Sequence, residues 1–582
     1  MSSIRPGAGG DSVHNAEIAV LLNRLADLLE IEDANPFRVR AYRNAAHVVD
    51  SLPREAAEML AAGEDLSELP GIGKDLAGKI ADVAENGRLP LLEEVEQRTP
   101  ASLAALLQIT GLGPKRVHTL YQQLGIRTIE DLRHALDSGQ LEGLPGFGEL
   151  TEAHIRQGLA QLAPGPARVL LAQAEPIARD LLAYLQQTPG LTRLAAAGSF
   201  RRRKETVGDL DLLATCRKNA PVMERFTAYG GVAEVLSQGS TRSTVRLRSG
   251  LQVDLRVVPP ASYGAALVYF TGSRDHGIAL RTLALKRGLK INEYGVFRGE
   301  RPIAGRTEEQ VYASLGLPWI APELREASGE IEAAAAGRLP RLVQLRDIRG
   351  DLHAHTLATD GQDSLEAMAE AAAARGYEYL AITDHSRRLT VAHGLDEAAL
   401  RRHMAAIDAL NSRFKGFTLL KSVELDILED GRLDLPDALL AELDLVVAAV
   451  HSKFDLPEAR QTERIIRALD NPHVHILAHP SGRLLQQRPP YAVDLERILR
   501  AAKERGVAVE VNGQPPRMDL DDVHCRLARE MGVKLVISTD AHSTAQLDNM
   551  RFGVAQARRG WVEAKNVLNT HSLPTLRRLL RR

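Results

Sequence analysis

The chain has 582 residues, with 73 Lys and Arg against 75 Asp and Glu, a net charge of −2, 44% hydrophobic and 25% charged residues. At roughly 150 residues per domain this length predicts about four domains, and the composition excludes a disordered or collagen-like chain. No apolar run approaches the ~18 residues of a membrane span, MSSIRPGAGGDSVHN lacks the hydrophobic stretch of a secretory signal, and two distant cysteines, Cys216 and Cys525, exclude a disulfide framework, so a bacterial-type cytoplasmic location is expected.

Residues 16–29, AEIAVLLNRLADLL, place Ile18, Leu21, Leu22, Leu25, Leu28 and Leu29 on one helical face. Helical patterns continue to about residue 190. Three short repeats interrupt them: LPGIGKDLAGKI from Leu69, ITGLGPKRVHTL from Ile109 and LPGFGELTEAHI from Leu144. Two glycines allow a tight turn and close approach of another chain, and the N–H groups of the helix that follows can hold a phosphate. This is a helix-hairpin-helix, which grips the DNA backbone without reading bases. Gly71, Gly73, Gly111, Gly113 and Lys115 are the candidate DNA contacts. The third copy carries Glu149 and Glu152 where phosphate would sit, and a structural role is the alternative there.

Charge is then concentrated: Arg193–Arg248 holds eleven Lys and Arg against five Asp and Glu. LTRLAAAG, DLDLLAT, TVRLRSG and LQVDLRVV read as strands, a helix follows near 275–288, and KINEYGVF reads as one further strand. In GSFRRRKETVGDLD (198–211), Asp209 and Asp211 project from one face of a strand, and Asp254 completes a triad if its strand lies alongside. Three hard oxygen donors suit Mg²⁺ or Mn²⁺ and an in-line displacement at phosphorus. Gly198 and Ser199 can offer backbone N–H groups to a triphosphate, and Arg202 a charge-assisted contact.

These residues carry a resemblance. From about 16 to 327 the chain resembles a family X DNA polymerase through NPFRVRAYRNAA (35–46), LPGIGK, ITGLGPK, GSFRRRKETVGDLD, VDLRV, YFTGS (269–273), INEYG and PELRE (322–326). The resemblance implies that Asp209, Asp211 and Asp254 bind two catalytic metals and that Gly198, Ser199 and Arg202 hold the triphosphate. Tyr269 and Phe270, with the turn at Gly272, would line the sugar; Arg281 would reach the DNA minor groove. Backbone carbonyls of Leu69, Ile72, Ile109 and Leu112 would hold K⁺ or Na⁺. Gly277 stands where the family often has an Asn contacting the incoming base. Lys79 matches the Schiff-base lysine of members with 5′-deoxyribose-phosphate lyase activity, although Asp75 falls where that group carries a lysine; a solvated or DNA-contacting Lys79 is the alternative.

Residues 329–345 read as a linker. Beyond them YLAITDH, LDLVVAAVH, HILAHP, VAVEVNG and KLVISTDAH alternate with helical patterns, the rhythm of parallel β/α structure. Twelve of the 18 histidines follow Gly350, and His353, His355, Asp360, His385, Glu424, His451, His479, Asp540 and His542 fall at or just past strand ends. Such donors suit Zn²⁺, Mn²⁺ or Fe, and strand C-terminal ends are where a β/α barrel builds its site. Arg483 is a candidate phosphate contact, with a surface arginine as the alternative. His393, His403, His473, His475 and His524 lack strand-end placement and read as surface or structural.

This segment resembles the polymerase and histidinol phosphatase (PHP) domain over about 346–575. The resemblance implies a distorted (βα)₇ barrel with up to three ions. His353, which is also a catalytic candidate, would hold the first with His355, Glu424 and Asp540. Glu424 would bridge to the second, held with His451 and His479; Asp360, His385 and His542 would hold the third. The expected division is 1–90 and 91–165 (helical, hairpin-bearing), 166–260 (nucleotidyltransferase palm), 261–328 (thumb), 329–345 (linker) and 346–582 (PHP barrel).

The whole reads as a gap-filling repair polymerase with a metal-dependent 3′–5′ exonuclease. Its expected partners are deoxynucleoside triphosphates and gapped or nicked duplex DNA with a 5′-phosphate, bound by a monomer. The alternatives are a PHP 3′-phosphatase or phosphoesterase, a metal-stabilised scaffold without activity, and a template-independent transferase.

Overall fold

The computed structural model describes residues 15–581, except 51, 53, 110–111, 142–143, 145, 149–150, 153–154 and 157–167. It divides into two compact units, the boundary falling between Pro166 and Ala167. The first is helical. Asn15–Ile31 and Pro36–Asp50 pack face to face, burying Ile18, Leu22, Leu25 and Leu29 against Tyr42, Ala46 and Val49. Asn35 caps the second helix through Phe37 N–H, and Pro36 occupies the first turn, where its missing N–H leaves nothing unpaired. The same apolar core continues to Ile155.

The second unit begins with the helix Leu171–Gln186 and a five-stranded sheet in the order Leu191–Ala196, Asp209–Cys216, Gln252–Val257, Arg242–Leu247, Val232–Gln238. The central pair is parallel and the others antiparallel. Period-two alternation turns Leu210, Leu212, Val253 and Leu255 toward Leu181 and Phe226, leaving Asp209, Asp211 and Asp254 for the opposite face. Beyond the helices Tyr263–Thr271 and Arg274–Lys286 lies a small antiparallel sheet. Here KINEYGVF is two strands, Lys290–Asn292 and Gly295–Arg298, not one. The Asn292 side chain accepts from the N–H groups of Tyr294 and Gly295 and folds the chain back on itself, a local bond that overrides strand propensity.

Residues 329–345 carry a short helix and are packed. Glu330 is fully buried at the start of the helix Glu330–Ala335, accepting from Ala327 and Ser328 N–H and pairing with His276. Ile331, Ala334, Leu342 and Val343 are buried too.

The strands from Gly350 onward pair in parallel. They form a three-stranded sheet, Gly350–Asp351, Tyr379–Ile382 and Thr418–Lys421, and a five-stranded one from Glu424–Asp426 to Leu535–Ser538. Only single parallel bridges join the two sheets among the described residues: Ala354 to Ala541, and His385, just past the middle strand Tyr379–Ile382, to Glu424. Met518 and Phe552 pack on Leu171, Ala174 and Val207, and Arg483 and Gln556 bind Glu205, so this part shares a seam with the helix Leu171–Gln186 and with the chain just ahead of Asp209.

Candidate active sites

Asp211 stands opposite Asp254 in the parallel pair, and Asp209 opposite Gln252. Burial, then the charges of Asp209 and Asp254, push the Asp211 carboxyl up to about 7; burial and Asp254 raise Asp209 as well. Asp254 differs. Although burial acts the other way, hydrogen bonds from Thr244 (2.7 Å), Gln252 (3.0 Å) and Arg242 (3.0 Å) hold it below the usual carboxylate range. Its carboxylate therefore leans toward the neighbouring strand, and among the described residues the tight clusters of donor atoms all lie elsewhere, in the C-terminal part. Two raised carboxyls beside a third describe a site that a divalent cation would relieve, so the donor set fits one.

Gly198 lies against this site with φ +62°, a backbone conformation that favours glycine, and a Cβ there would press on the Asp211 carboxylate. Ser199 follows in the short turn Gly198–Arg201. Arg202 is more engaged than the sequence implies: its Nε donates to Glu326 Oε1 at 2.9 Å and its Nη1 to the Thr271 carbonyl at 2.7 Å. Tyr269 is exposed and packs edge-on against Phe270, with the Arg281 guanidinium 6.0 Å from its ring; Gly272 ends that helix. Gly277 faces open space.

The second cluster closes around Glu424. Its Oε2 lies 3.0 Å from His385 Nδ1, 3.4 Å from His353 Nε2 and 3.6 Å from His355 Nε2; its Oε1 lies 3.0 Å from His479 Nε2 and 3.2 Å from His451 Nε2. Asp540 sits 3.2 Å from His355 Nε2, and Asp360 lies 3.4 and 3.3 Å from His385 and His542 Nε2. Three donor groups result: His353, His355 and Asp540; His385, Glu424 and His451; and His355, Asp360, His385 and His542. Against the expected sets, His355 and His385 are shared and His479 meets the second group only through Glu424. Several imidazole nitrogens, on His353, His355 and His385, are buried without a hydrogen-bond partner. Orphaned buried nitrogens converging on carboxylates fit metal ions. Burial and the neighbouring His385 push His355 down to about 4, whereas Glu424 and Asp426 overcome burial and lift His451 to about 9. His479 and Asp540 hold φ of +27° and +51°, strain of a kind that collects at functional sites.

The residues that orient these side chains escape the reading of the sequence. Glu510 accepts from His353 Nδ1 at 2.7 Å and Asp426 from His451 Nδ1 at 2.7 Å, leaving each Nε2 turned inward. Arg517 lies 3.5 Å from Asp540. Arg483 is not a phosphate contact: its guanidinium is buried and bound to Glu205 and to the carbonyls of Arg517 and Met518. His403 pairs with buried Asp384 at 2.9 Å, and His524 with Asp521.

In the helical unit the described residues of the three repeats share one turn hydrogen bond. Ile72, Leu112 and Phe147 N–H donate to the carbonyls of Leu69, Ile109 and Leu144, and all three are buried. Gly73 and Gly113 then cap helices, and the space where their Cβ atoms would lie is open, as is that at Gly71. No packing inside the chain demands glycine there. Lys115 is exposed; Gly111 and Glu149 lie outside the described residues. The carbonyls of Leu69 and Ile109 each accept one turn hydrogen bond. Lys79 pairs with Asp75 one helical turn away.

Comparison with known proteins bears on both clusters. Family models match for a helix-hairpin-helix domain (residues 13–89), a SAM-like helix-hairpin-helix tandem (103–160), a DNA polymerase beta thumb (266–326) and a PHP domain (351–514). The DNA polymerase/3′-5′ exonuclease PolX of Bacillus subtilis (strain 168) is 40% identical over 574 residues, 98% of this chain and 100% of the relative. A probable phosphatase of Thermoanaerobacter sp. (strain X514) is 30% identical over 231 residues, 38% of this chain and 89% of its own length. DNA polymerase lambda of Rattus norvegicus is 25% identical over 354 residues, 55% of this chain and 58% of its own.

Proposed function

The chain belongs to the PolX family of DNA polymerases, and from that premise we propose that it fills short gaps in duplex DNA and trims 3′ ends by 3′–5′ exonuclease action. The observation that carries the reading is the presence of two chemically different donor sets in one compact unit: three carboxylates on the central sheet, and a carboxylate-bridged imidazole cluster at strand ends.

In nucleotide addition, Asp209, Asp211 and Asp254 would hold two divalent ions, Mg²⁺ or Mn²⁺. Gly198 and Ser199 turn backbone N–H groups toward the triphosphate, Arg202 adds charge, and Tyr269, Phe270 and Gly272 meet the sugar. Arg281, beside Tyr269, faces the minor groove. Bound ions would supply positive charge against the attacking and leaving oxygens of an in-line displacement. The hairpin glycines and Lys115 grip the DNA backbone, the Leu69, Ile72, Ile109 and Leu112 carbonyls cradling K⁺ or Na⁺. Lys79 is ion-paired with Asp75, which favours a DNA contact over a Schiff-base nucleophile.

In 3′-end hydrolysis, His353, His355, Asp360, His385, Glu424, His451, His479, Asp540 and His542 would hold up to three Zn²⁺, Mn²⁺ or Fe ions, with Glu510 and Asp426 fixing the rings of His353 and His451. Arg517, at the edge of the cluster, is positioned for the scissile phosphate. The domains divide by their chemistry: hairpin-bearing segments 1–90 and 91–165, palm 166–260, thumb 261–328, and from 346 a distorted seven-stranded PHP barrel, in which Thr418–Lys421 and Glu424–Asp426 count as one strand bent between them. The protein acts as a cytoplasmic monomer on 5′-phosphorylated gaps.

The test is incubation of 5′-phosphorylated gapped DNA with and without deoxynucleotides, in Mg²⁺ or Mn²⁺. One-nucleotide extension with them and release of mononucleotides without them is the expected pair of outcomes. A second reading, a 3′-phosphatase, is favoured by the likeness of the imidazole-rich part to a probable phosphatase. Faster release of phosphate from 3′-phosphate ends than of nucleotides from 3′-hydroxyl ends would establish it instead.

A further inference from the structure

Arg559 ends the helix Met550–Arg559, in sequence well beyond Asp540, yet its side chain works across the seam. Nη1 donates to Glu326 Oε1 at 3.0 Å and to the Arg202 backbone carbonyl at 3.2 Å, and Nη2 donates to Asp522. The same Glu326 oxygen receives Arg202 Nε at 2.9 Å, with Lys204 Nζ 3.7 Å away. Arg202 continues the chain to the Thr271 carbonyl, next to Gly272. Its charge is also felt at Asp209 and Asp211.

This is a built network. The Arg559 side chain is 2% exposed, Arg202 13% and Glu326 18%. Despite burial, Arg559, Lys204 and Arg202 hold Glu326 down to about 2, so it is an anion at any working pH. One carboxylate is shared between two guanidinium groups. While Arg559 takes part of that negative charge, Arg202 keeps a net positive face for an anion. Without Arg559 the whole charge of Glu326 falls on Arg202 and Lys204, and the Arg202 carbonyl loses a donor.

We propose that Arg559 is a positioning residue for nucleotide addition: from the PHP domain it fixes Glu326 and the backbone of Arg202, and so sets how tightly the polymerase site holds an incoming triphosphate. The inference rests on the reading of Arg202 as a triphosphate contact. A ground-state contact retained in the transition state contributes uniform binding, so its weakening appears in KM and not in kcat.

Single-nucleotide gap filling by the full-length protein tests this. Arg559→Gln should raise the deoxynucleotide KM about 5- to 30-fold, with kcat within about twofold, as expected for a weakened charge-assisted contact. Arg559→Lys, which keeps the charge without the fork, should raise it less. Exonuclease activity of the same preparations should match wild type. An unchanged KM, a fall in kcat alone, or parallel loss of both activities overturns the proposal; should the glutamine variant misfold, the lysine variant's KM decides. Arg202→Gln separates the failures. If its KM is also unchanged, the triphosphate reading of Arg202 falls and takes the proposal with it; if its KM rises while that of Arg559→Gln does not, only the role of Arg559 falls.

Discussion

Asp211 and Asp254 face each other across one pair of parallel strands, yet their carboxyls are held in opposite senses, Asp211 raised to about 7 and Asp254 lowered. The cause is the neighbourhood. Asp254 receives three side-chain donors, whereas Asp211 has burial and two like charges.

Asp211→Asn should abolish nucleotide addition while 3′-end hydrolysis continues. It should also stabilise the metal-free protein. A folded-state value raised above the unfolded one means that stability is lost as pH climbs from about 4 through about 7, on the order of 2–4 kcal/mol for such a shift. Melting temperatures in a chelator at pH 5 and pH 8 would show it: the variant's advantage should be larger at pH 8.

His353→Ala or Asp540→Ala should have the converse effect, removing 3′-end hydrolysis and sparing gap filling. Both side chains belong to one donor group in the C-terminal part. Loss of both activities from one such change, in protein that still melts cooperatively, would argue against two separate sites.

Asp426→Ala should weaken metal retention by about 10- to 100-fold, because the His451 ring would lose the acceptor that orients it. Titration of the metal-free protein with Zn²⁺ or Mn²⁺ by calorimetry reads this without any turnover. Affinity equal to wild type would mean that Asp426 is only a packing residue.

Glu308 offers an acid-limb test. Arg201, Arg325 and Trp319 donate to it at 2.7–2.9 Å, and despite burial the two arginines hold its carboxyl at about 2. The folded value lies below the unfolded one, so this stabilisation is complete above about pH 4.5 and is lost as pH falls toward 2. Glu308→Gln leaves Arg325 buried and uncompensated, which should cost about 3–5 kcal/mol at pH 7. Denaturant unfolding at pH 7 and pH 3 should show the variant's deficit shrinking at the lower pH.

Gly73→Asp and Gly113→Asp should separate folding from DNA binding. Both glycines are helix N-caps in extended conformation with open space at Cβ, so aspartate improves the cap. The same carboxylate would repel a phosphate. Melting temperature should hold or rise while affinity for gapped DNA falls, with a shallower salt dependence.

Much of both sites is readable in the chain because the chemistry follows local periods. The two-residue step from Asp209 to Asp211 fixes a shared face, and strand-end histidines converge because parallel strands end together. Asp426 carries the same two-residue signal after Glu424, and Glu510 before Asn512, but both act through a neighbouring side chain and neither has the pattern of a ligand. The strand Val232–Gln238 lacks apolar alternation because it is an exposed edge. Arg202 and Arg483 find Glu326 and Glu205 at separations of 124 and 278 residues, which no window of sequence reveals.

The buried His276–Glu330 pair, with Tyr312 on the far side of the ring, ties residues 329–345 into the body of the protein. The segment that leads from the small antiparallel sheet to the parallel strands is thus part of the packed interior and not a tether, and cutting this pair, as by His276→Ala, would loosen the join without touching either donor set.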